Sequence, residues 1–78
     1  MKRTHGQAEY TTQVTHDDQE GWTAVELHQT QGGSSQLAAR VVFWDAEGQF
    51  ALEMSIRELP VAIVEALIAE AKATIRTA

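Results

Sequence analysis

Seventy-eight residues, 44% of them hydrophobic and 22% charged, specify one small globular domain and exclude an intrinsically disordered chain. The absence of cysteine removes disulfides and thiolate metal centres, and 11 acidic against 6 basic residues, a net charge of −5, oppose non-specific attraction to phosphate. No apolar run approaches the roughly 18 residues of a membrane span, and Met1 to Tyr10 is too polar for a signal peptide, so the expectation is a cytoplasmic protein with no membrane partner.

In chain order, "MKRTHGQA" is polar and non-periodic, so residues 1–8 are expected to form a disordered tail and residues 9–78 the single domain. "EYTTQVT" (Glu9 to Thr15) alternates and is rich in β-formers, with Tyr10, Thr12 and Val14 on one side. "HDDQEG" (His16 to Gly21) gathers turn formers, and "WTAVELHQT" (Trp22 to Thr30) is the second strand, ended by "QGGSS" at a hairpin tip. "QLAARVVFWD" (Gln36 to Asp45) is the third strand, "AEG" the turn and "QFALEMS" (Gln49 to Ser55) the fourth.

The period then changes from 2 to 3.6. Ile63, Val64, Leu67, Ile68, Ala71 and Ile75 make one helical stripe between Pro60 and about Arg76, with Glu65, Lys72 and Arg76 off it. Pro60 suits the first helical position, where its missing N–H costs nothing. "SIRE" (Ser55 to Glu58) matches a capping box, but a helix starting there would carry Pro60 inside its first turns. The expected architecture is α+β: a four-stranded antiparallel meander followed by one C-terminal helix, ββββα.

Alternation sorts the strands into two faces. Val25, Leu27, Leu37, Ala39, Val41, Phe43, Phe50, Leu52, Met54 and Ile56 are consistently apolar and are expected to face the helix. The other face carries Trp22, Ala24, Glu26, His28, Arg40, Val42, Trp44, Gln49, Ala51, Glu53 and Ser55. Four strands at about 4.8 Å spacing span roughly 19 Å, whereas one helix is only about 10–12 Å across. The second face has no element left to cover it, and an exposed surface holding two indoles marks an interaction site. A domain of this size buries only about 60% of its unfolded surface, so association is the expected source of further stability. Homodimerisation is expected through Val42 on the sheet and through Val64, Leu67, Ile68 and Ile75 on the helix.

Signals for catalysis are weak. Glu26 and His28 share a strand face and make at most half a metal site. His16, Asp17 and Asp18 lack the ligand spacing of a calcium loop. "QGGSSQ" has no lysine and precedes a strand, unlike a phosphate-binding loop, and Ser34 and Ser35 have no base nearby in the pattern. The expectation is a non-enzymatic chain with no catalytic residue, no metal and no cofactor.

The element order, with "GWTAVEL" opening the second strand and "FWDAEG" closing the third, resembles the single-stranded nucleic-acid-binding domain of the transcriptional coactivator positive cofactor four, whose element order the Pur-alpha repeats share. Gly21, Trp22, Thr23 and Leu27 match the second-strand pattern, and Trp44, Asp45, Glu47 and Gly48 the end of the third. The resemblance covers about Thr15 to Ile75. It implies a homodimer that binds single-stranded nucleic acid in transcription regulation, with Trp22 and Trp44 stacking on bases and His28, Arg40 and Arg57 assisting. The chain departs from that pattern: Val42 stands where relatives carry an arginine, and no lysine occurs from Ala46 to Ser55. The alternative expectation is a protein-interaction or dimerisation module that binds no nucleic acid and buries Trp44 and Val42 against another chain.

Overall fold

Thr, Val and aromatic residues at alternating positions build long strands here, and short loops force each strand back beside the last. The computed structural model describes residues 1–75, so Arg76 lies outside the described residues. The elements are β1 (Lys2–His5), β2 (Ala8–Asp17), β3 (Trp22–Gln31), β4 (Ser34–Trp44), β5 (Gln49–Met54) and α1 (Val61–Thr74). All strand pairs are antiparallel and consecutive, giving the sheet order β1-β2-β3-β4-β5 with α1 laid against β3 and β4. The class is α+β with a C-terminal helix, but the meander has five strands rather than four.

The extra strand is the segment expected from sequence to be a loose tail. Lys2 to His5 pairs with Thr11 to Ala8 through a two-residue loop, Gly6–Gln7. Gly6 has φ +62°, which suits the first central position of a type II′ hairpin turn and which glycine alone adopts cheaply. The N-terminus is also fastened from the helix side. The Met1 ammonium lies 2.7 Å from Thr12 Oγ1 and 3.0 Å from Glu70 Oε1, and Thr12 Oγ1 donates to Glu70 Oε2 at 2.7 Å.

A second difference concerns β4. The β3–β4 register runs Leu27↔Ala39 and then His28↔Leu37, so Ala38 is an extra residue, a β-bulge. Ala38 and Ala39 are both fully buried against the core. Alternation inverts beyond them, so Leu37 shares a face with His28 rather than with Leu27, contrary to the sequence reading. Two adjacent alanines have side chains small enough for both to be accommodated in the core. The Ala38 carbonyl in turn accepts the Ser55 and Ile56 N–H groups at 2.8 and 3.2 Å, which ends β5.

The core is one cluster of Tyr10, Val25, Leu27, Val41 and Phe43 from the sheet with Ile63, Leu67 and Ala71 from α1 and Ile75 just after it, and Phe50, Ile56 and Ile68 pack at its margin. Phe43 and Phe50, opposite in register, have ring centroids 5.0 Å apart. Pro60 is the residue before the helix rather than its first residue: its ψ of 135° is extended, while its carbonyl accepts from Ile63 and Val64 at 3.0 and 3.2 Å. No side chain caps this end, so Ser55 to Glu58 does not act as a capping box. Leu52 and Met54 stand on the helix side as expected, yet lie beyond the helix's reach and remain 43% and 46% exposed.

Candidate functional site

The face opposite α1 is organised in rungs of directly opposed residues. One rung is Asp17, Trp22, Trp44 and Gln49; the next is Thr15, Ala24, Val42 and Ala51; the third is Gln13, Glu26, Arg40 and Glu53. Successive rungs on one face lie about 7 Å apart, because the strand rises about 3.4 Å per residue and alternate residues point the same way. Trp22 and Trp44 are therefore direct cross-strand neighbours, and their rings meet edge to face with centroids 6.5 Å apart.

Arg40 is two rungs from Trp22, yet its guanidinium carbon is 4.7 Å from the centre of the Trp22 ring. A separation of about 14 Å between the two backbone levels can close to that distance only if both side chains lie along the sheet over the middle rung. Their burial agrees: Ala24 and Val42 are fully buried although no helix or strand among the described residues covers this face. The Arg40 guanidinium therefore acts as part of a lid. Its Nε donates to Glu53 Oε1 on the neighbouring strand.

Around Glu26 a second polar group forms. Glu26 Oε1 lies 3.3 Å from His28 Nε2, and Glu26 Oε2 accepts from Thr15 Oγ1 at 3.5 Å. Glu26 also stands opposite Arg40 in register, so Arg40 is flanked by a glutamate on each adjoining strand. Sequence reasoning singled out Trp22, His28, Arg40 and Trp44, and these four do share one face. It placed Glu53 on this face without a role and did not single out Thr15, since their contacts depend on the register of neighbouring strands. Among the described residues, no three His, Cys, Asp or Glu side chains converge as a metal site would require.

Arg57 is not part of this group. It is exposed and follows β5, whose Gln49 end adjoins Trp44 and whose Met54 end adjoins Ala39, so it lies at the opposite end of the sheet from the tryptophans. The residues expected at a dimer contact also separate. Val42, Leu67 and Ile75 are buried within the single chain, Val42 by the indole and guanidinium lid and the other two by the core. Val64 and Ile68 alone of that set retain partial exposure.

Two surface hollows lie on the helix side. One, at the start of α1, is lined by His5, Tyr10, Gln29, Glu58, Leu59 and Pro60, with Gln29 Nε2 donating to the Tyr10 hydroxyl at 2.9 Å. The other runs between α1 and β5 and is mainly apolar, with Val41, Phe50, Leu52 and Ile68 as walls and Lys72 at one side. No helix among the described residues is long and apolar enough to cross a membrane.

No family model, no curated protein and no solved structure matches this chain in comparisons with known proteins.

Proposed function

We propose that this chain is a non-enzymatic protein-binding module that docks a partner on the open sheet face around Trp22 and Trp44. The carrying observation is the lid itself. Two indoles that meet edge to face and an arginine over the Trp22 ring cover an apolar floor of Ala24 and Val42, with Glu26, His28 and Glu53 as a polar border. Aromatic and arginine anchors fixed before contact, within a polar rim, are the composition of protein-interface hot spots, and their order in the free chain lowers the entropy lost on binding.

The same contacts weigh against single-stranded nucleic acid as the ligand. Stacking a base on Trp22 requires displacing Arg40, and a phosphate must compete with Glu53 and Glu26 for the one arginine on these rungs. Asp17 and the other carboxylates add repulsion. In favour of the nucleic-acid reading, as for a transcription cofactor, is the pair of half-exposed indoles, which offers π-surface to bases.

Intrinsic fluorescence separates the two. An oligothymidylate titrated into the protein at low salt is expected to leave the indole emission unchanged, and affinity capture is expected to retain a protein that Trp44→Ala and Arg40→Glu release while Val14→Lys, on the other face, retains it. Quenching that saturates at low salt and fades as salt rises would move the assignment to nucleic acid, with Trp44→Ala then weakening binding by about 1–3 kcal/mol.

A further inference from the structure

The two edges of the sheet are treated differently. β1 is four residues long, carries Lys2, Arg3 and His5, and is blunted in the way that protects an edge from pairing with another chain. β5, "QFALEM", has no lysine, arginine or proline. Its one charge, Glu53, points to the open face and is held by Arg40. The helix accentuates the asymmetry. Its flank toward β2 is closed by Glu70, Thr12 and the Met1 ammonium, whereas its flank toward β5 leaves the apolar trough of about 230 Å³ walled by Phe50, Leu52 and Ile68.

We propose that the β5 edge joins two copies of this chain into one continuous ten-stranded antiparallel sheet, with a two-fold axis at Leu52. This inference is independent of the docking role given to the tryptophan face. The Ser55 N–H points back to β4, and alternation along the strand then turns the backbone N–H and C=O groups of Phe50, Leu52 and Met54 outward, where a partner strand can receive them.

The sequence of β5 is complementary to itself in this register. Leu52 meets the second copy's leucine at the axis, and Phe50 meets the second copy's methionine on the helix side. On the other face Ala51 meets the second copy's glutamate, so no like charges are opposed. Moving the axis to Glu53 sets two carboxylates against each other, and moving it to Ala51 leaves Met54 without an apolar partner. The two helices then lie on one side of the joint sheet about four strand spacings apart, roughly 19 Å, which leaves a gap of about one side-chain layer between cylinders of about 10–12 Å. Phe50, Leu52 and Met54 from both copies fill it.

Three partly exposed apolar side chains, the strand edge and the flanks of Ile68 and Lys72 cover roughly 400–500 Å² per copy, below the about 800 Å² of a standard interface, so the dimer is a weak and reversible one.

Sedimentation velocity from about 1 to 300 µM should show monomer converting to dimer with concentration. Leu52→Lys should weaken association at least 100-fold, while Val14→Lys, at a comparably exposed position on β2, should leave it unchanged. Because the chain has no cysteine, Leu52→Cys under mild oxidation should give a covalent dimer, and Val14→Cys should not. In the unaltered protein, amide exchange at Leu52 and Met54 should slow several-fold across that range while that of Lys2 and Thr4 stays constant. A monomer at every concentration, association unaffected by Leu52→Lys, a Val14→Cys variant that cross-links as fast as the Leu52→Cys variant, or exchange that ignores concentration would each overturn the proposal.

Discussion

Val42 shows how a residue's environment is decided by contacts that strand periodicity does not contain. Alternation correctly assigns it to the face without a helix, where a valine is expected to be free for a partner, yet it is fully buried because Trp22 and Arg40 lie across it from either side. The lid can be tested at its floor and at its joint. Val42→Ala should cost about 1–2 kcal/mol in chemical denaturation, the loss of buried methyl groups plus an incompletely closed gap, whereas a freely exposed valine would lose almost nothing. Trp22→Ala and Arg40→Ala should be non-additive, with a coupling energy of about 0.5–1 kcal/mol in a double-mutant cycle, since the ring and the guanidinium are in direct contact. A coupling near zero would show that the guanidinium is held by Glu53 alone. That ion pair is half-exposed on the glutamate side, so Glu53→Gln should itself change stability by less than about 1 kcal/mol.

At the scale of elements, what could be read from the chain was whatever depended on local period. Alternation located the strands now called β2, β3, β4 and β5 to within two residues at every end, and the stripe Ile63, Leu67, Ala71 located α1 because all three side chains do meet the core. β1 escaped because four polar residues carry no hydrophobic pattern, and its stability comes from pairing with β2 and from the Met1 ammonium bound to Thr12 and Glu70. Its only local signal was Gly6, placed where a two-residue hairpin loop needs a positive φ. A Cβ at Gly6 would meet no atom within 4 Å, so Gly6→Ala isolates the backbone term and should cost about 1–2 kcal/mol. The checking measurement is a denaturation midpoint together with amide exchange in Lys2 to His5, which should accelerate before any other strand. The bulge at Ala38 was illegible for a different reason: a period-two pattern assumes that no residue is skipped, and nothing local to "LAAR" requires the skip. Its effect was to misassign Leu37 alone, since the pattern resumes at Ala39. The candidate site was legible in membership for Trp22, His28, Arg40 and Trp44, but the role of Arg40 depended on its distance from Trp22 and on Glu53, which only the assembled sheet supplies.

For the whole molecule, one helix over a five-stranded sheet leaves two different surfaces, and they answer the shortage of covering elements in different ways. The face away from α1 covers itself with long amphipathic side chains, whose methylene stems and ring faces shield Ala24 and Val42 while their polar atoms stay near water. The margin beside α1 has no such side chains on β5, and Leu52 and Met54 remain in water. If a second copy covers that margin, folding and association are linked and the melting temperature must depend on protein concentration. Above the dissociation constant, each hundredfold rise in concentration adds about 1.4 kcal/mol of stability per chain, half of the corresponding ligand-binding term because two chains share one association. For a domain of this length that is a rise of about 5–10 °C in Tm. Leu52→Lys should abolish the dependence, its Tm staying constant with concentration at or somewhat below the dilute value because Leu52 packs only at the margin of the monomer, whereas Trp44→Ala should lower the Tm at every concentration by the same amount and preserve the slope. Calorimetric scans of the three proteins at two concentrations thus assign the sheet's edge and its open face to separate roles, since a surface used for self-association changes the slope and a surface that only covers the sheet changes the intercept.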